Sequence, residues 1–264
     1  MYDTTYYRAS SVSDATSKLA GTEDGMFLAG GQTLIPTMKQ RLAAPSDLVD
    51  VSGIDALKNI SVDGEVVTIG AACTHAQVAG SSEVAQAIPA LASLAGGIGD
   101  PAVRARGTIG GSIANNDPAA DYPAACLGLG ATIVTDTREI PADEFFVGMF
   151  ETALDEGEMV TAVKFPKPTK AGYAKFPNPA SRYAMVGVMA AQTGNGVRVA
   201  VTGAGNDGVF RHNALEEALG ANWSADATQG VATDADDMLS DIHGSAEYRA
   251  HLVSVMAGRA VDNS

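Results

Sequence analysis

Apolar and polar positions in the first 165 residues fall into short units, strand-like runs alternating with helix-like ones. MFLAGG (26–31) reads as a strand closed by two glycines. TLIPTMKQRL (33–42) follows as a helix with Pro36 in its first turn, where no intrahelical N–H is required. DLVDV (47–51) and EVVTIGA (65–71) are β-rich. SSEVAQAIPALASLAGGIGD (81–100) opens on serine caps, reads helical and breaks near Pro89. PAADYPAACLGLG (118–130) places a proline at a helix N1 and glycines at its end. ATIVT (131–135) and MVTAVKFP (159–166) are strands again.

The pattern changes at FPKPTKAGYAKFPNPASR (165–182), whose prolines predict a domain boundary or a long ordered loop. Beyond it, RYAMVGVMAAQ (182–192) and VRVAVTGAG (197–205) flank the turn TGNG and predict an antiparallel hairpin. Helices are expected near 213–220, stopped by Gly220, and over 245–261. The second would carry Tyr248, Leu252, Val255, Met256 and Arg259 on one face. The polar, acidic stretch 221–241 between them reads as a mobile loop. No internal repeat is present, and the alternation of short units is that of an α/β or α+β fold.

Composition narrows the chemistry. A chain of 264 residues can bury one large core or two ordinary ones. No apolar run approaches the ~18–20 residues of a membrane span. The N-terminus MYDTTYYRAS lacks a basic region followed by an apolar one, so no secretory signal is expected. Cys73 and Cys126 form no CxxC motif and no disulfide framework, which points to a reducing cytoplasm. Two cysteines cannot supply the four thiolates of an iron–sulfur cluster. His75, His212, His243 and His251 show no ligand spacing, so no metal is expected, and His75 reads as a structural or pocket-wall residue. A net charge of −14 argues against nucleic acid as a partner. It also means that an anionic ligand would be held mainly by backbone N–H groups.

Three glycine-rich stretches could supply such groups. GAGNDG (203–208) fits G-x-G-x-x-G letter for letter, but β-like VFR follows it where a dinucleotide fold needs a helix. It is expected to be a hairpin turn. AGGQT (29–33) and GTIGGS (107–112) are better placed. Each sets small residues where a strand is expected to end, adds a hydroxyl, and could fold into an anion-binding concavity or simply turn the chain.

Three separated segments then carry a resemblance: LAGGQTLIPTMKQRLAAPSDLVDVSGI, IGDPAVRARGTIGGSIANNDPAADYPAA and NPASRYAMVGVMAA with VRVAVTGAGNDGVFR. Together they resemble the FAD-binding medium subunit of molybdenum hydroxylases, the family of the carbon monoxide dehydrogenase flavoprotein and the xanthine dehydrogenase FAD subunit. The resemblance runs from about residue 2 to residue 261. It implies a vanillyl-alcohol-oxidase-type (PCMH) FAD-binding domain over 1–165, in two α/β sublobes of about 1–57 and 58–165. It further implies a small α+β domain with an antiparallel sheet over 166–264.

Carried across residue by residue, Ala29, Gly30, Gly31, Gln32 and Thr33, then Thr108, Ile109, Gly110, Gly111 and Ser112, would grip the FAD pyrophosphate. Ile98 and Gly99 would line the flavin pocket, and Tyr183 would lie against the isoalloxazine ring. Asp121 matches an acidic residue that hydrogen-bonds the cofactor, and Asn115 and Asp117 would face it or fix the loop that does. Asp117 reads equally as a helix N-cap before Pro118. Some flavoproteins of this fold attach FAD covalently through a histidine in the first glycine-rich loop; here that loop carries Gln32, so noncovalent FAD is implied. No side chain need be a catalytic acid or base.

The family's chemistry implies electrons passing from the [2Fe–2S] clusters of a small subunit, through FAD on this chain, to an external acceptor. A large molybdenum–pterin subunit would oxidise the substrate, within a dimer of heterotrimers in the cytoplasm or against the inner face of its membrane. NPASRYAMVGV leans toward the carbon monoxide dehydrogenase branch. A self-sufficient FAD oxidase or reductase of the same fold is the alternative.

Overall fold

The computed structural model describes all 264 residues. Strands Thr5–Arg8, Gly25–Leu28 and Asp47–Asp50 form a parallel sheet with the third strand in the middle. Parallel neighbours need crossovers, and helices Val12–Ala20 and Leu34–Lys39 supply them. Ala15, Val49, Val51, Ile54 and Leu57 close a small core behind this sheet with Ala72 and Met159.

The second sheet is antiparallel throughout. Its spatial order is Ile60–Asp63, Val66–Gly70, Val160–Pro166, Thr132–Thr135 and Glu139–Pro141. The expected break at Pro89 separates helix Ser82–Ala87 from helix Pro89–Gly96, and Ser81 caps the former by accepting from the Val84 N–H. Helices Ile109–Asn115 and Asp121–Leu129 join Pro89–Gly96 in the largest core. Every residue of Asp121–Leu129 is buried. A third sheet packs on its far side through Met189, Ala191 and Ala200. A Cβ on Gly128 would meet Met189 at 2.6 Å, so glycine sets how closely helix and sheet approach.

This third sheet runs in sequence order, Lys170–Pro177, Ala184–Thr193, Gly196–Gly205 and Gly208–Arg211, all antiparallel. The predicted hairpin is its centre, with Thr193 paired to Gly196. GAGNDG is the next hairpin turn, with Gly205 paired to Gly208. Helices Asn213–Ala221 and Ala246–Asp262 close a separate core with this sheet.

Five expectations are corrected. Residues 165–182 are not simply a loop, because Lys170–Pro177 is a strand paired along its length with Ala184–Gln192; the prolines punctuate its ends rather than interrupt it. The helix expected from Pro118 begins at Asp121. Asp117 Oδ1 accepts from the Ala119 N–H at 2.9 Å and its carbonyl from the Ala120 N–H, so it caps a turn, not a helix. GTIGGS follows helix Pro101–Arg106 rather than a strand. Segment 221–241 is folded into two short 3₁₀ turns, Ala225–Thr228 and Ala235–Asp237, that bury Thr228 and Met238.

The last helix buries Leu252, Val253, Met256, Ala257 and Ala260 together with Arg249, leaving Tyr248 and Arg259 outside. Arg249 is buried because its guanidinium donates to the carbonyls of Met185 and Gly203 and to Asp241. A hydrophobic pattern counts such a residue as polar and rotates the face. No helix is long and apolar enough to cross a membrane.

Candidate functional site

A cavity of about 650 Å³ opens between the first two sheets and the loop residues Ser181, Arg182 and Tyr183 that precede strand Ala184–Thr193. Ala29, Gly30, Gly31, Gln32, Thr33, Ile98, Gly99, Thr108, Gly110, Gly111, Ser112, Asn115, Asp117, Asp121 and Tyr183 all line it. Ile109, alone of the residues singled out from sequence, is instead fully buried in the core. Phe27, Leu28, Val51, Leu57, Met159 and Val160 add apolar wall. No group of three His, Cys, Asp or Glu side chains converges on a point that could hold a metal.

The two glycine-rich stretches meet at the cavity, and their donors differ. The backbone N–H groups of Gly30, Gly31, Gln32 and Thr33 have no protein acceptor. Four successive free donors on a cavity wall form a concave site for an anion. In the second stretch the N–H groups from Ile109 to Ser112 are already engaged: Ile109 donates to Cys73 O, Gly110 to Ala71 O, Gly111 to Thr108 Oγ1 and Ser112 to Thr108 O. What the second stretch offers is side chains, since those of Ser112 and Asn115, one helical turn apart, make no hydrogen bond within the chain.

The glycines serve the walls more than the space between them. A Cβ on Gly30 would lie 2.2 Å from Arg106 O, so this glycine lets the first stretch press against the second. A Cβ on Gly110 would lie 2.5 Å from Ala71 Cβ and 2.8 Å from Ala71 O. Gly110 thus leaves room for the neighbouring strand end. Gly111 is exposed on the cavity wall, and its Cβ would meet only Thr108 Oγ1, at 3.0 Å, and Ala29 Cβ, at 3.8 Å.

The opposite wall is built from charge. Asp121 is 4% exposed; its Oδ1 accepts from Tyr173 Oη at 2.5 Å, its Oδ2 accepts from Lys175 Nζ at 3.2 Å, and the same ammonium lies 2.9 Å from Oδ1 as an ion pair. Burial pushes this carboxyl up, while Lys175 and Tyr173 pull it down. Lys175 also donates to Gly97 O at 2.9 Å. Arg104 Nη1 donates to Ile98 O and Gly99 O, both at 3.0 Å, and Arg182 Nη1 approaches Gly99 O at 3.4 Å. Gly99 has φ +51°, which glycine adopts without cost. Burial raises the Asp117 carboxyl as well.

Sequence reasoning missed Arg182, which lines the cavity beside Tyr183, and also Tyr173, Lys175 and Arg104, which stand behind the wall and bond Asp121, Ile98 and Gly99. A further cavity-lining residue, Glu158, offers nothing to a ligand. It accepts from Thr135, Thr137, both donors of Arg138 and the Asp155 N–H. His75 is a wall residue, as expected: its ring packs on Tyr122 with centroids 5.4 Å apart, and its Nδ1 is buried without a partner. Burial, seconded by the charge of Arg104, lowers its pKa to about 4.

Residues 2–168 match the family described as the FAD binding domain in molybdopterin dehydrogenase, and residues 171–264 match the CO dehydrogenase flavoprotein C-terminal domain. The nicotine 6-hydroxylase medium subunit of Paenarthrobacter nicotinovorans is 34% identical over 97% of this chain and 95% of its own. The carbon monoxide dehydrogenase medium chain of Hydrogenophaga pseudoflava is 33% identical over 97% and 95%. A crystal structure of Cu,Mo-CO dehydrogenase superposes with a TM-score of 0.90 at 32% identity, over 100% of this chain and 98% of that one. The chain therefore belongs to the family of FAD-binding medium subunits of molybdenum-containing dehydrogenases, which are oxidoreductases.

The cavity fits that cofactor. A run of free N–H groups suits a diphosphate, unpaired hydroxyl and amide groups suit a polyol, and flanking apolar surface suits flat rings.

Proposed function

We propose that this chain binds FAD noncovalently in the cavity and carries electrons between a [2Fe–2S] partner subunit and an external acceptor. Substrate oxidation would belong to a large molybdenum–pterin subunit, and the three would assemble as a dimer of heterotrimers in the cytoplasm. The observation that carries this reading is the run of unpartnered N–H groups from Gly30 to Thr33, at the position the family motif assigns to phosphate. When bound, FAD supplies the redox chemistry.

The chain's share is binding and orientation. Gly30–Thr33 would hold the diphosphate by backbone donors, which suits a protein of net charge −14. Ser112 and Asn115 would hydrogen-bond the polyol, and Ile98, Gly99 and Tyr183 would flank the ring. Gln32 offers no imidazole for a covalent link. The division would be 1–165 for the FAD-binding domain, with sublobes at 1–57 and 58–165, and 166–264 for the C-terminal domain. The carbon monoxide dehydrogenase branch is supported by relatives and solved structures of that name.

Acid precipitation of the purified chain should release yellow FAD into the supernatant, and a colourless native protein would overturn the reading. With an artificial acceptor the chain alone should not oxidise carbon monoxide, purines or aldehydes, whereas its copurified complex should turn over a substrate. Robust turnover by the chain alone would establish instead a self-sufficient flavoenzyme.

A further inference from the structure

Three successive carbonyl oxygens, those of Gly97 and of the cavity-lining Ile98 and Gly99, accept hydrogen bonds from cationic side chains. One cation, Arg104, comes from the adjacent helix Pro101–Arg106. The others, Lys175 and the longer-range Arg182, come from the C-terminal third of the chain. The Lys175 side chain is 10% exposed, and it holds Gly97 O and the Asp121 carboxylate together. Tyr173, two residues earlier on the same strand face, donates to that carboxylate as well.

Asp121 heads helix Asp121–Leu129, where the helix dipole favours a negative charge, and Lys175 supplies the only cationic side chain bonded to it. Removing one partner of a buried pair leaves the other charge uncompensated. The remaining anion would act over short range through a medium of low dielectric.

We propose that Lys175 is a positioning residue for the bound flavin: it fixes the Gly97–Gly99 turn against Asp121 and neutralises that carboxylate, so that strand Lys170–Pro177 sets the electrostatic potential of the flavin site. The inference rests on FAD occupying the cavity.

The test is a charge cycle on the full chain, Lys175→Met, Asp121→Asn and the two combined, with Lys175→Arg as the charge-retaining control. Flavin content is measured first, and a wild-type protein without flavin would refute the functional reading rather than this inference. The midpoint potential of the bound flavin is then measured at fixed pH. Lys175→Met should shift it to a more negative value, because an unpaired carboxylate disfavours added electrons. The double variant should return toward wild type, and Lys175→Arg should stay close to it.

A packing role would leave the potential of Lys175→Met unchanged, or give shifts that simply add in the double variant; either result overturns the proposal. Should Lys175→Met carry no flavin, the same cycle is read on the affinity for added FAD. Recovery of affinity on adding Asp121→Asn supports the proposal, and no recovery overturns it.

Discussion

Residues 29–33 and 107–112 share a composition of glycine, small residues and a hydroxyl, and they form adjoining parts of one cavity wall. They differ in where their backbone donors go. The first leaves four successive N–H groups without a protein acceptor, while the second gives each of its N–H groups from Ile109 to Ser112 to the protein. Their glycines do not divide by stretch, since Gly30 packs against Arg106 O while Gly111 stands open on the cavity wall. Gly31, at φ +69°, serves the turn of the first stretch, whereas Gly110 serves the packing of the second against Ala71. Glycine-rich composition therefore marks a place where backbones come close, and only an accounting of donors tells ligand from chain.

The largest effects separate these roles. Gly110→Val would force a side chain into Ala71 and its carbonyl, so overpacking should cost roughly 3 kcal/mol or more and take the flavin with it. Gly111→Val projects from an exposed position on the cavity wall. It should keep the wild-type circular dichroism and thermal midpoint within a few degrees, yet retain little FAD. Full flavin occupancy in Gly111→Val, or unimpaired folding of Gly110→Val, would show that the two glycines are wrongly assigned.

A smaller effect tests the rigidity of the second stretch. His75 packs against Gly107, whose added Cβ would sit 2.5 Å from its Nε2, and the His75 backbone N–H donates to Gly107 O. Its pKa is lowered from 6.5 to about 4 in the folded chain. Between those values the unfolded chain binds a proton that the folded chain excludes, so stability is full above about pH 6.5 and declines as pH falls toward 4. The loss attributable to this group should reach about 3 kcal/mol at most. Chemical denaturation of wild type and His75→Gln at pH 7.5 and pH 5, on either side of 6.5, should give a smaller pH difference in the variant. An identical difference in both would remove His75 as the cause.

The legible and illegible parts of this molecule follow the same physics. Local periodicity and turn residues reported the central hairpin and the break at Pro89, because both depend on neighbours in sequence. The two glycine stretches and the Asp117–Asp121 segment were legible as motifs, because close backbone approach forbids most side chains. The cationic wall was not. Lys175 lies in a proline-flanked run that reads as a boundary, and its partners Gly97 and Asp121 are 78 and 54 residues away. The buried face of the last helix was misread for a related reason: Arg249 is inside only because two distant carbonyls and Asp241 meet its guanidinium. Polar residues satisfied by distant partners carry no periodic signature.

The finest test sets two threonines against each other. Thr33 and Thr108 each stand at a helix N-cap beside the cavity. The Thr108 hydroxyl accepts from the Gly111 N–H at 3.1 Å, whereas Thr33 makes no side-chain cap bond. Thr108→Ala should therefore destabilise the chain by about 1 kcal/mol, the usual worth of a cap. It should leave FAD affinity within about twofold, a change of only ~0.4 kcal/mol, because the hydroxyl is committed to the protein. Thr33→Ala should do the reverse. With no internal bond lost, its stability should stay within about 0.5 kcal/mol of wild type, as for an ordinary surface change. Its FAD affinity should fall by about tenfold, since the free hydroxyl stands beside the free N–H groups and one lost hydrogen bond to a charged group is worth roughly 1.5 kcal/mol or more. Equal behaviour of the two variants in both measurements would erase the distinction between a stretch that binds and a stretch that supports.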